Sequence, residues 1–172
     1  RGNAKLGTGL ECDSSKKQPI CYLAFVNPKE KTVFTYIRAS EVDKYSETRL
    51  HGKVSIGIGG HTRIADKRTN SADPLQAGSD RELHEEVELD GALEPPQLVG
   101  YINADIALPV DAVHFGLFYV VKVNGPVRPN DPELREGRMM KFDEVRKMMQ
   151  DPDYAVETWT QIAFPVIEKM FF

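Results

Sequence analysis

The first strongly apolar region, residues 20–39, sets two β-rich runs, ICYLAFV and TVFTYIRA, on either side of Asn27-Pro28-Lys29-Glu30-Lys31. That layout predicts a β-hairpin. Further on, KVSIGIGGH reads as a short strand running into a glycine turn, and residues 62–72 read as a polar, irregular loop. The pattern then becomes helical over 74–89, with Asp73 as N-cap, Pro74 at the first helical position and Gly91 as the stop. PPQLVGYINAD and AVHFGLFYVVKV follow as strands, the second the richest in Val, Phe and Tyr. GPVRPNDPELREG reads as a loop, RMMKF as a short strand and DEVRKMMQ as a helix opened by Asp143. A last helix spans roughly Tyr154 to Phe171, carries Trp159 and is bent by Pro165. Strands and helices intermingle without regular βαβ alternation, which predicts an α+β fold with a mixed sheet between helices.

Bulk properties narrow the function. The chain has 172 residues, suited to one domain, here read as 20–172 behind a loose leader over 1–19. It is 41% hydrophobic with a formal net charge of -4, which argues against a general nucleic-acid binder but not against a small phosphorylated ligand. Two cysteines, Cys12 and Cys21, form no C-x-x-C pair, so a zinc site is not expected and free thiols in a reducing compartment are. No apolar run reaches the ~20 residues of a membrane span. The start of the chain has no apolar signal core, so a cytoplasmic location is expected.

The candidate chemistry lies in RELHEEVEL, residues 81–89. At about 100° per residue, Glu82, Glu85 and Glu86 share an arc of about 100° on one helix. Leu83 and Val87 fall together and can face a core, His84 points away from the acids, and Arg81 can pair with Glu85 at i,i+4. Three like charges on one arc repel by tenths of a kcal/mol when solvated, so a plain acidic surface satisfies this pattern. So does a site for a hard cation, since Mg²⁺ takes oxygen ligands.

The glycines upstream shift that balance. SIGIGGH, then a loop, then Arg-Glu-apolar-x-Glu-Glu resembles the box of the Nudix hydrolase family, G-x5-E-x7-R-E-U-x-E-E-x-G-U, with U aliphatic. The matching residues are Gly60, Arg81, Glu82, Leu83, Glu85, Glu86 and Leu89. More narrowly, the pattern is similar to a bacterial branch known as predicted phosphoesterases. Two departures stand out. Arg81 lies 21 positions after Gly60 where the box has 14, so either Asp66 or Asp73 stands in the first glutamate's place. Asp73 also serves as the helix cap. Glu88 occupies the position of the box's last glycine.

The resemblance implies an α/β/α sandwich and Mg²⁺-dependent hydrolysis, with Mn²⁺ as a substitute. The bond cleaved would be a phosphoanhydride in a nucleoside diphosphate-linked or related small phosphorylated substrate. It implies Glu85 and Glu86 as metal ligands, Glu82 as a ligand or the base acting on water, and the Gly59 carbonyl as a further ligand. Arg81 would orient a carboxylate. Gly60 is read on the substrate side, and His61, which follows the glycines, reads equally as a phosphate contact there or as a turn residue. The alternative is a Nudix-fold binding or regulatory module without hydrolysis. The family is often dimeric, so a homodimer is a further expectation. Outside this set, His114 reads as a satisfied core histidine, Glu133 and Glu136 as loop acids, Asn103 and Asp105 as turn formers, and Trp159, Phe164 and Phe171 as core.

Overall fold

The computed structural model describes residues 13–40, 48–68, 73–104 and 109–171. The first hairpin forms as its pattern predicts, from β1 (Gln18–Asn27) and β2 (Thr32–Arg38), with Val26 opposite Val33. The Asn27 side chain accepts from the Glu30 N–H at 3.2 Å and closes the turn. β1 also runs parallel to β6 (His114–Lys122), in register from Gln18–His114 to Val26–Lys122. β5 (Gln97–Ile102) lies antiparallel on the outer edge of β6. β2 pairs antiparallel with β1, with β3 (Val54–Ser55) and with β8 (Leu134–Lys141). The result is a mixed six-stranded sheet.

Strand alternation gives each face of that sheet its own core. Tyr22, Ala24, Val26, Phe118 and Val120 pack on one face. There they meet Phe142 and Val145 of α3 (Phe142–Gln150) and Trp159, Phe164 and Ile167 of α4 (Thr158–Phe171). Cys21, Leu23, Phe25, Phe34 and Tyr36 pack on the other face against Leu83 of α1 (Pro74–Glu86) and against Val87, the residue that follows it. The architecture is therefore the expected α+β sandwich, a mixed sheet between helices. A short α2 (Pro109–Ala112) precedes β6.

Several boundaries differ from the sequence reading. α1 starts as expected, with the Asp73 carboxylate accepting from the Leu75 N–H at 2.9 Å, but it ends at Glu86 rather than residue 89. Val87–Leu89 form β4 and pair with β7 (Val127–Pro129), Val87 opposite Pro129 and Glu88 opposite Arg128. Pairing with a partner 40 residues away decides this boundary, and no local pattern announces it. Gly91, at φ 111°, turns the chain after β4 instead of stopping the helix. The predicted loop before RMMKF contains β7 and the start of β8, because Leu134 and Arg135 pair with Arg38 and Ile37. Lys141 rather than Asp143 caps α3: the Glu144 carboxylate accepts from the Lys141 N–H at 3.0 Å, the return half of a capping box. The polar loop after His61 includes a 3-10 turn over Ile64–Arg68. β1 begins at Gln18, inside the predicted leader, whose residues 1–12, with Cys12, lie outside the described residues, as does Asp105.

Candidate functional site

The glycine-rich segment leaves β3 and returns to β1. Ile58 exchanges two backbone hydrogen bonds with Leu23, at 2.9 and 3.0 Å, and His61 bridges to Ile20. This lays Gly59 and Gly60 along the sheet face that carries α1. Gly59 has φ 146°, and a Cβ there would stand 1.8 Å from the Cys21 carbonyl oxygen, so only glycine fits. A Cβ on Gly60 would come within 2.6 Å of Glu82 Oε1, so the missing side chain is the space the Glu82 carboxylate uses.

Helix spacing then delivers the acids. Leu83 and Val87 are buried in the α1-side core, as their face predicts, and His84 is exposed. Glu82 is buried at 7% exposure, which the acidic arc alone did not indicate. Its Oε1 accepts from Arg81 Nη1 at 2.6 Å, and the same nitrogen donates to Glu85 Oε2 at 3.3 Å, the expected i,i+4 pair. Arg81 Nη2 donates to the His61 carbonyl at 3.1 Å and ties the helix to the glycine segment.

The structure also separates the two aspartates. Asp73 caps the helix. Asp66 is buried against Arg81, accepting from Nε at 3.1 Å and Nη2 at 3.3 Å, and from the Arg63 backbone N–H at 2.6 Å. The Arg81 hydrogen bond holds the Asp66 carboxyl below its ordinary pKa, although burial opposes this. Burial also works against the Arg81 charge, but its bonds to Asp66 and Glu82 outweigh that and make the guanidinium harder to deprotonate. Arg63, which no sequence signal singled out, faces both oxygens of Glu85 at 3.4 Å and lies 3.7 Å from Glu82 Oε1.

Glu86 sits differently. Its Oε2 accepts from the Gly59 N–H at 3.3 Å. Burial pushes its carboxyl up to about 8; Arg38 counters the shift, while Glu82 and Asp131 add to it. A carboxylate in that position ionises readily only when positive charge approaches it.

The structure thus brings Gly59, Gly60, Arg81, Glu82, Glu85 and Glu86 together. His61 meets a histidine of β6. Its Nε2 lies 3.0 Å from Nε2 of His114, whose Nδ1 lies 2.7 Å from the Val110 carbonyl oxygen. That oxygen can only accept, so Nδ1 of His114 carries a proton. Sequence reasoning foresaw His114 as a satisfied, buried residue but not its partner. Trp159 and Phe164 are core, as expected, and Glu136 is exposed at a bulge in β8 with φ 57°.

Among the described residues, no group of three or more acid, histidine or cysteine side chains converges into a ready-made cation cage. The donors nonetheless suit a hard cation. All three acids offer oxygen, Gly60 leaves the Glu82 carboxylate room, and half-buried Glu86 accepts from the Gly59 N–H. Also among the described residues, no helix is long and apolar enough to cross a membrane.

No protein-family model matches the chain. Protein YmaB of Bacillus subtilis (strain 168) is 34% identical over 164 residues, covering 92% of this chain and 74% of YmaB. The crystal structure of Tm1382, a candidate Nudix hydrolase, superimposes with a TM-score of 0.70 at 26% identity, over 99% of this chain and 79% of that one. A Nudix hydrolase from Alicyclobacillus acidocaldarius superimposes with a TM-score of 0.62 over 87% of this chain and 90% of its own, at 13% identity, a likeness of fold alone. Sharing about a third of its residues with YmaB over nearly its whole length, and its architecture with Tm1382, the chain belongs to the Nudix hydrolase family.

Proposed function

We propose that the protein is a Mg²⁺-dependent hydrolase that cleaves a phosphoanhydride bond in a nucleoside diphosphate-linked or related small phosphorylated substrate. The observation that carries this reading is the seating of Glu86 and Glu82 on the Gly59–Gly60 turn, one by a hydrogen bond and one by the space of an absent Cβ. A purely solvated acidic face would need neither contact. Glu85, Glu86 and the Gly59 carbonyl would hold the cation, with Glu82 as a further ligand or as the base that takes the proton from the attacking water. Bound Mg²⁺, or Mn²⁺ in its place, would supply the positive charge that screens phosphate oxygens and acidifies a water.

The remaining roles belong to the chain. Arg81, fixed by Asp66 on one side, orients the Glu82 carboxylate through a charge-assisted hydrogen bond. On this reading Asp66 takes the first acidic position of the box, six residues after Gly60, and the extra residues follow it. Arg63 neutralises Glu85 at the rim until a cation or a phosphate displaces it. Gly60 keeps backbone rather than side chain at the wall where the phosphates would lie.

The test is a panel of nucleoside di- and triphosphates, nucleotide sugars, dinucleoside polyphosphates and inositol pyrophosphates, assayed with Mg²⁺ or Mn²⁺ for wild type and Glu86→Gln. Turnover by wild type and its near-complete loss in a folded E86Q protein are expected. Unchanged turnover in E86Q would remove the metal-site assignment. A second reading, a binding or regulatory module without hydrolysis, draws on the way Glu82 and Glu85 are engaged by Arg81 and Arg63 rather than converged. Tight ligand binding without turnover across the whole panel would select it.

A further inference from the structure

Two histidines meet across β1, outside the arc of carboxylates on α1. His61 ends the glycine segment and bridges to Ile20, while His114 opens β6 opposite Gln18. The two segments flank the first half of β1 and bring together side chains 53 positions apart in sequence. Their Nε2 atoms lie 3.0 Å apart, and the ring planes are inclined by 56°. His114 is only 6% exposed, whereas His61 faces solvent. The pair therefore has one fixed, buried member and one accessible member.

The fixed member is bonded as a metal-ligating histidine is. A ligating imidazole commonly donates its other ring N–H to a backbone carbonyl, which sets the ring's orientation and raises the basicity of the ligating nitrogen. Nδ1 of His114 lies 2.7 Å from the Val110 carbonyl oxygen. The lone pair of the neutral ring is then on Nε2, the atom that faces His61. The spacing fits an ion as well. At the usual metal–nitrogen distance of about 2.0–2.1 Å, two nitrogens 3.0 Å apart subtend about 95° at a shared ion. That is near the cis angle of about 90° in a tetragonal or octahedral centre. A separation wider by about 0.3 Å gives the tetrahedral angle. Imidazole nitrogen is a softer donor than the carboxylate oxygens of α1, so it suits a transition ion rather than Mg²⁺. Two cations approach the pair at its backbone: Arg81 Nη2 donates to the His61 carbonyl at 3.1 Å, and Lys17 Nζ to the His114 carbonyl at 3.3 Å.

We propose that His61 and His114 form a site for a divalent transition ion of the copper, nickel and zinc group, separate from the carboxylates proposed to hold Mg²⁺. The two imidazoles are its protein ligands, and water completes the coordination on the exposed side of His61. The proposal stands whether or not the carboxylates bind a cation.

The test is equimolar Cu²⁺ added to the full chain with Mg²⁺ in excess, read by electron paramagnetic resonance, whose nitrogen hyperfine pattern counts coordinated imidazoles. Two nitrogens are expected in wild type. His61→Ala should leave one and weaken Cu²⁺ about a hundredfold, the upper end of what disturbing even the surroundings of a metal ligand costs. Glu86→Gln should keep the wild-type spectrum. Fewer than two nitrogens in wild type overturns the proposal. So does a spectrum unchanged in H61A, which would assign the ion to the chain's other two histidines, His51 and His84. Loss of the signal in a folded E86Q protein would assign the ion to the carboxylates and overturn it too. A melting curve checks that H61A is folded; if it is not, His61→Gln carries the same comparison.

Discussion

Asp66, buried against α1, and Glu86, half-buried at the end of that helix, are shifted in opposite directions. Asp66 meets two nitrogens of Arg81 and a backbone N–H, and is held ionised. Burial, with Glu82 beside it, raises the Glu86 carboxyl to about 8, against the opposing pull of Arg38 and the Gly59 N–H. The Asp66 carboxylate is therefore already compensated by Arg81, whereas the balance at Glu86 still favours the neutral acid despite Arg38. On the proposed reading, that asymmetry separates a scaffold from a binding position: the completed pair would give geometry, and the deficit would give affinity for a cation.

The most damaging way to disturb the surroundings of Glu86 is Gly59→Ala. Its Cβ would press on the Cys21 carbonyl and the backbone would sit in a glycine-favoured conformation. A loss of about 3 kcal/mol or more is expected from strain and overpacking combined, read as a lower midpoint in urea. An alanine variant as stable as wild type would mean that the turn is looser than described and that the Gly59 contact does not define Glu86.

Glu86→Gln comes next, on the order of a few kcal/mol, and acts through pH. The folded-state pKa of Glu86 is raised above the unfolded value of 4.5 to about 8. Its contribution to stability is therefore fully present below about pH 4.5 and is lost as pH rises through about 8. Cation-free wild type should lose melting temperature across that window, and E86Q, which cannot ionise, should show a flatter profile. Identical profiles would place Glu86 in water and dissolve the contrast with Asp66.

Asp66→Asn tests the opposite sign. A hydrogen bond to a charged group contributes about 2 kcal/mol. Because its folded-state pKa lies below the ordinary 3.8, the Asp66 contribution is present above that value and is lost as pH falls through the lowered one. D66N should be less stable than wild type at neutral pH, and the gap should close in acid. A gap that persists unchanged in acid would assign Asp66 to shape rather than charge.

These pairs also show what a sequence can carry. The hairpin, the Asp73 cap and the burial of Leu83 and Val87 follow from local chemistry and periodicity, and all were legible. The placing of Glu82, Glu85 and Glu86 on one helix was legible, but the burial of Glu82 was not, because it depends on Gly60 arriving from another element. The end of α1 was misplaced because β4 exists only through its pairing with β7. Asp66 and Asp73 were both candidates by composition, and only the contact between the 3-10 turn over Ile64–Arg68 and α1 brings Asp66 to Arg81. His61 and His114 are 53 residues apart, and nothing in either neighbourhood announces the other.

The smallest effect belongs to the rim, and it fixes where the comparison ends. Arg63 and Glu85 have side chains 40% and 37% exposed, and their nitrogen–oxygen contacts are long, at 3.4 Å. An exposed pair of that kind contributes under about 1 kcal/mol, since water screens it and both side chains lose freedom to hold it. Arg63→Gln should therefore shift the melting temperature only slightly at low salt. At about 1 M salt, where the Debye length falls to about 3 Å, the shift should vanish. The buried Asp66–Arg81 pair should keep its contribution under the same salt. If R63Q were as costly as D66N and as indifferent to salt, the rim would belong to the fixed scaffold, and Glu85 would not be free to turn toward a cation.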